Sequence, residues 1–213
     1  MLTGRIAPRP TSPARRQRGF AAIAILTIVV LVSLFSLTYQ LKASVSSNGH
    51  VRQSETIETL ARAKAALIAF AAENPNRPGG MPCPDRNGDG EAELTCDRPE
   101  WRVGFLPWQT LRTGDLRDAS GSRLWYALSA HFRNDPDIAI NSFVRGELSV
   151  RVAAGMQIEE AVALVIAPGA PLAHQQRAGA TDSRIEVWLE GENAGGEVGV
   201  FEVARDGAGI NDT

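Results

Sequence analysis

The stretch that decides the fold reads Arg15-Arg16-Gln17-Arg18-Gly19-Phe20, followed by an uncharged run from Phe20 to Leu41. The run holds no Asp, Glu, Lys, Arg or His over 22 residues. A helix rises ~1.5 Å per residue and a bilayer core needs ~20 apolar residues, so the run is long enough to span a membrane. It exceeds the ~7–15-residue apolar core of a secretory signal peptide. Leu, Ile and Val dominate it, and helical geometry satisfies every backbone N–H and C=O inside lipid. The preceding residues carry Arg5, Arg9, Arg15, Arg16 and Arg18 and no acid. Positive charge stays on the cytoplasmic side, which predicts residues 1–19 inside and everything after Leu41 outside.

Beyond the run, Lys42 to His50 turns polar, and Asn48-Gly49 is a pair that can loosen a helix. Helical periodicity then resumes through Ile57, Leu60, Ala61, Lys64, Leu67, Ile68 and Ala71, spaced by threes and fours. The spacing predicts one helix from the run to about residue 72, roughly 50 residues and ~80 Å, with an amphipathic outer half at 42–72. Pro75, Pro78, Gly79, Gly80, Pro82 and Pro84 then forbid regular structure.

A basic leader ending in Gly19, an apolar run opened by Phe20, and a helix that continues past the membrane resemble the N-terminus of type IV pilins and of the pseudopilins of type II secretion. The resemblance implies cleavage by a prepilin peptidase after Gly19 and methylation of the new N-terminal Phe20. It also implies assembly with other pilin or pseudopilin subunits on an inner-membrane platform, with the globular domain in the periplasm. One position departs from the pattern. The fifth residue of the mature family chain is usually Glu, which pairs with a neighbour's N-terminal amine; here it is Ala24. A carboxylate in lipid is tolerated only for function. Its loss fits a minor or tip subunit, which has no neighbour above it. The plain alternative is an uncleaved signal anchor carrying a periplasmic binding or hydrolytic domain.

Length and charge bound the remainder. The chain has 213 residues and a net charge of −2. Setting the five leader arginines aside leaves 17 basic against 24 acidic residues, a net of −7. An acidic exported domain argues against nucleic acid as a partner. Residues 73–205 suffice for one core. Residues 206–213, rich in Gly and Asp, read as a flexible tail.

Cys83 and Cys96 are the only cysteines. Both fall outside the membrane, where an oxidising periplasm favours a disulfide, and two free thiols are the alternative. Between them runs Asp85-Arg86-Asn87-Gly88-Asp89-Gly90-Glu91-Ala92-Glu93. Its start matches the D-x-N-x-D-G opening of a calcium loop, with oxygens at alternate positions and then Gly for the sharp turn. Asp85, Asn87 and Asp89 offer side-chain oxygens, Glu91 a carbonyl and Glu93 a further ligand. The acid of the twelfth position is missing, and Cys96 stands there. The alternative is a polar turn closed by the disulfide, with no cofactor.

Downstream, Trp101–Trp108 is aromatic and β-prone, and Ser122–Leu128 reads as a short strand or helical turn. Apolar β-branched runs follow at Phe143–Val152, Ala161–Ala167, Ile185–Leu189 and Val198–Val203. The second of these, nearly all apolar, is expected as a buried central strand. Four strands after one long helix predict an α+β fold, a small antiparallel sheet packed on the helix. Four tryptophans, at 101, 108, 125 and 188, are candidates for a sugar platform or for core. Enzyme signatures are absent: no G-x-S-x-G, no phosphate loop, no H-E-x-x-H. His50, His131 and His174 stand far apart, and Asp135/Asp137 and Glu159/Glu160 could be paired carboxylates, though a solvated turn or helix end explains them equally well.

Overall fold

The computed structural model describes residues 17–75, 77–152, 155–177, 179, 182–195 and 199–203, with backbone alone for 17–22 and 37–50. The basic leader up to residue 16 and the tail 206–213 lie outside the described residues. The chain divides into two compact units, Met1–His50 and Val51–Thr213.

The first unit is helical throughout its described residues. Helix α1 runs Gln17–Glu73 and takes in both Gly19-Phe20 and Asn48-Gly49. Side chains 23–36 are all exposed. Two hydroxyls among them bond back to their own helix: Thr27 Oγ1 donates to Ala24 O and Ser33 Oγ to Val29 O, each at 2.8 Å. Among the described residues, no helix is long and apolar enough to cross a membrane; side chains of the uncharged run are described only over 23–36.

The second unit is α+β. It contains the end of α1, strands β1 (Val103–Phe105), β2 (Trp125–Leu128), β3 (Leu148–Arg151), β4 (Gln157–Ala161), β5 (Ala163–Ile166) and β6 (Val200–Glu202), and a short helix α2 (Ile185–Trp188). The strands form two three-stranded sheets rather than one: β1-β2-β5, antiparallel, and β4-β3-β6, in which β3 and β6 run parallel.

The first sheet is covered on both faces. On one side Tyr126 and Leu128 meet Leu106, Leu124, Ala167 and the α1 residues Ala63 and Leu67. On the other, Val103, Phe105, Trp125, Ala127 and Ile166 meet Leu148 and Phe201 of the second sheet and Val187, Trp188 and Leu189. Burial on both faces explains why Trp-Tyr-Ala-Leu of β2 shows no polar alternation. The burial also pushes the Tyr126 phenol well above its usual range. Its hydroxyl donates to Pro82 O at 3.2 Å.

Three expectations are corrected. The central strand of the first sheet is β2; the apolar run at 161–167 supplies its edge, β5. Ile185–Trp188 is helical. The buried stripe of α1 is Thr59, Ala63, Leu67 and Ala71, while Ile57 and Ile68 are more than half exposed. Residues 157–166 form one bent strand shared by both sheets, with Val162 at the corner. Buried Ser129 pins that corner. Its N–H donates to Val162 O at 2.9 Å, its hydroxyl donates to Ala161 O at 2.8 Å, and the hydroxyl accepts the Glu147 N–H. Gly146 backs onto the corner so closely that a Cβ would collide with Ala161 O.

Candidate functional site: the disulfide-closed acidic loop

Cys83 and Cys96 are joined, with their Cα atoms 5.7 Å apart. Both are buried, and both belong to the cluster that α1 packs against. The bridge closes a loop whose organiser is Asp85, which is fully buried. Asp85 Oδ1 accepts the backbone N–H groups of Asn87 (3.2 Å) and Gly88 (2.6 Å), and Oδ2 accepts that of Gly90 (2.7 Å). The pattern repeats down the loop: Asn87 Oδ1 accepts the Asp89 N–H at 2.8 Å, and Asp89 Oδ1 accepts the Glu91 N–H at 2.7 Å. The Asn87 amide also donates to Asp89 Oδ2, and Glu93 Oε1 accepts the Arg86 N–H at 3.3 Å. These are successive Asx turns, which shape a loop without any secondary structure.

Burial is the largest influence on Asp85 and raises its carboxyl above the ordinary carboxylate range, against the N–H groups of Gly90, Gly88 and Asn87; nearby Asp89 adds to the rise. Gly90 has φ +89°, and a Cβ there would lie 2.5 Å from the Trp108 ring, so only glycine fits.

The loop is held to the domain by backbone and polar contacts. Asp85 and Phe105 exchange both backbone bonds, at 3.0 and 2.8 Å, as an antiparallel bridge. The Gln109 N–H donates to Gly90 O at 2.8 Å, the Ala92 N–H to Thr110 Oγ1 at 2.8 Å, and Arg123 Nη1 to Gly88 O at 2.7 Å. Gln109, Thr110 and Arg123 have no motif around them, and sequence reading missed all three.

The five oxygen-bearing residues singled out for calcium thus share one loop, and oxygens of Asp85, Asn87, Asp89 and Glu93 are engaged by the loop's own N–H groups. Among the described residues, no group of three or more His, Cys, Asp or Glu is placed to hold a metal ion.

The other candidates do not converge. Gly19 and Phe20 lie in α1, described as backbone only. Trp125 and Trp188 are core, both against Phe105, with ring centroids at 4.8 and 5.6 Å. Trp101 is covered instead by the guanidinium groups of Arg98 and Arg86, 4.6 and 5.2 Å from its ring. The tryptophans therefore form no shared platform. His131 lies 3.1 Å from Glu147 at the surface, and Asp135 pairs with Arg133 at 3.0 Å and accepts the Asp137 N–H. The geometry can shape and brace a loop; among the described residues of that loop it gathers no nucleophile with a base. No protein family, no curated protein and no solved structure matches the chain.

Proposed function

We propose that this chain is a pilin-like, pseudopilin subunit of a type II secretion pseudopilus or a type IV pilus. In this reading a prepilin peptidase cuts after Gly19 and methylates the amine of Phe20. The helix from Phe20 to Leu41 sits in the inner membrane, with the domain on the periplasmic side. Ala21, Ala22 and Ala24 let sister helices approach closely and associate by van der Waals packing. The partners are the peptidase, other pilin or pseudopilin subunits, membrane lipid and an assembly platform. Ala24 in place of the family's Glu makes this a low-copy or tip subunit. Calcium in the loop of Asp85, Asn87, Asp89, Glu91 and Glu93 belongs to this reading.

The observation that carries the reading is the continuity of α1. One helix includes the basic-to-apolar boundary and, further along, the buried Ala63 and Leu67 of a folded domain. A plain anchor needs no such continuity, because a flexible linker would serve it equally well.

Intact mass of the protein isolated from membranes tests the proposal. The expected species lacks residues 1–19 and carries one added methyl group, and deleting the peptidase restores the leader. A retained leader in peptidase-positive cells refutes the reading and leaves an uncleaved anchor on a binding or hydrolytic domain. The low-copy assignment is tested in sheared filaments, where abundance equal to the main subunit would sink it.

A further inference from the structure

We propose that the disulfide-closed loop is a redox-operated cap on the edge of the first sheet. An uncovered edge strand presents a row of unpaired N–H and C=O groups that templates pairing with another chain. At the β1 edge, the Phe105 N–H and C=O are both taken by Asp85, which lies two residues after Cys83. The loop therefore does for β1 what a further strand would do.

The far half of the loop buries little. Leu94 is 99 % exposed, and Glu91 and Thr95 are exposed as well. Polar contacts from Gln109, Thr110, Arg123 and Arg133, together with the covalent bridge, hold the loop beyond Asp85. The bridge thus sets how firmly the cap is seated. Both cysteines pack in the same cluster as Tyr126 and Leu128 of β2, but β2 is also covered by α1 and by the second sheet, which hold the centre of the sheet when the bridge opens.

Reduction by a dithiol breaks the Cys83–Cys96 bond. Two electrons and two protons pass to the cysteine sulfurs, and the reductant becomes a cyclic disulfide. The reverse transfer, to a disulfide-type oxidant, closes the cap. A chain made in a reducing compartment keeps its β1 edge loose, and arrival in an oxidising one seals it. That direction rests on the export reading above; the device itself does not.

Amide hydrogen exchange of the full chain in detergent micelles tests it, with and without dithiothreitol. The Phe105 amide, bonded to Asp85 O, is expected to exchange about 100-fold faster on reduction, the factor that closing so short a loop supplies. The amides of Tyr126 and Ala127 in β2 stay unchanged, and reoxidation restores Phe105. Because both sulfurs are buried, the double variant Cys83→Ser/Cys96→Ser serves as a second arm needing no reductant, and it reproduces the reduced pattern. Unchanged exchange at Phe105 overturns the proposal. Equal acceleration at Tyr126 and Ala127 overturns it too, since the bridge would then hold the whole domain. Leader processing is not read by this measurement, so the two proposals fail separately.

Discussion

Replacing Asp85 by Asn tests the organisation of the loop with a change of one atom type. The carboxylate accepts three backbone N–H groups on two oxygens. An amide has one oxygen. If that oxygen keeps Asn87 and Gly88, the amide nitrogen faces the N–H of Gly90, and two donors oppose each other in a buried site. An orphaned buried donor costs ~1–3 kcal/mol, and bonds to a charged acceptor are the stronger kind, so the loss is about 3 kcal/mol. At ~2–4 °C per kcal/mol for a unit of this size, the melting temperature falls by about 6–12 °C. Near-UV circular dichroism of the full chain in micelles, at pH 7 with a chelator present, reads it. The pH dependence has a definite sign. Burial raises the Asp85 carboxyl in the folded state. The stability linked to its protonation is therefore complete below the unfolded carboxyl's range and is lost as pH rises through the folded value, while the three N–H bonds to the ionised carboxylate remain. The gap between wild type and Asp85→Asn accordingly narrows from pH 4 toward pH 7. A melting temperature within about 1 °C of wild type at both pH values, a small fraction of the expected ΔΔG, would refute the claim that these three bonds organise the loop.

Gly90→Ala combines a left-handed backbone with a Cβ inside the Trp108 ring contact; strain and overpacking together lower stability by about 2–4 kcal/mol, measured by thermal unfolding. Arg177 donates to Ser122 Oγ and Gly169 O at 2.7 Å, to Trp188 O at 3.1 Å and to Val187 O at 3.2 Å. Arg177→Lys keeps the charge but loses the fork, costing about 2–4 kcal/mol. Its signature is faster amide exchange in α2 with β2 unaffected. Calcium in millimolar excess is expected to raise the melting temperature of the wild type and not that of Asp89→Ala, relative to a chelator; identical melting in both solutions removes calcium from the proposal.

The parts of the fold legible in the sequence are those where one physical signal dominates. The helix was readable because periodicity and the uncharged run agree, and proline at 75 and 78 stops it close behind Glu73. Strands β1, β2, β3, β5 and β6 fall within the apolar runs. The misses have identifiable causes. Gln157–Ala161 pairs as a strand while four of its five residues are exposed, so no apolar alternation betrays it. Ile185–Trp188 carries β-forming residues, yet the carbonyls of Val187 and Trp188 are taken by Arg177 rather than by a neighbouring strand. Placement of β5 at an edge depends on β2 pairing both ways, and no local pattern encodes a partner. On α1, apolar residues occupy a stripe broader than the domain covers. Periodicity located the stripe, but which half is buried was set by Leu106, Leu124 and Tyr126 from elsewhere in the chain.

The acidic loop shows how one spacing serves two chemistries. Oxygens at alternate positions before a glycine are what a calcium loop needs, but Asp85, Asn87 and Asp89 at that spacing also accept N–H groups from the residues that follow them. The motif therefore specifies a shape before it specifies a ligand. In a calcium loop of this length the twelfth residue is an acid that closes the ring through the metal. Here the twelfth residue, counted from Asp85, is Cys96, and it closes the ring covalently onto Cys83. A covalent closure at the position of the metal-binding acid does the fastening that this acid does through the metal in a calcium loop, so here the ring is closed whether or not a cation is bound.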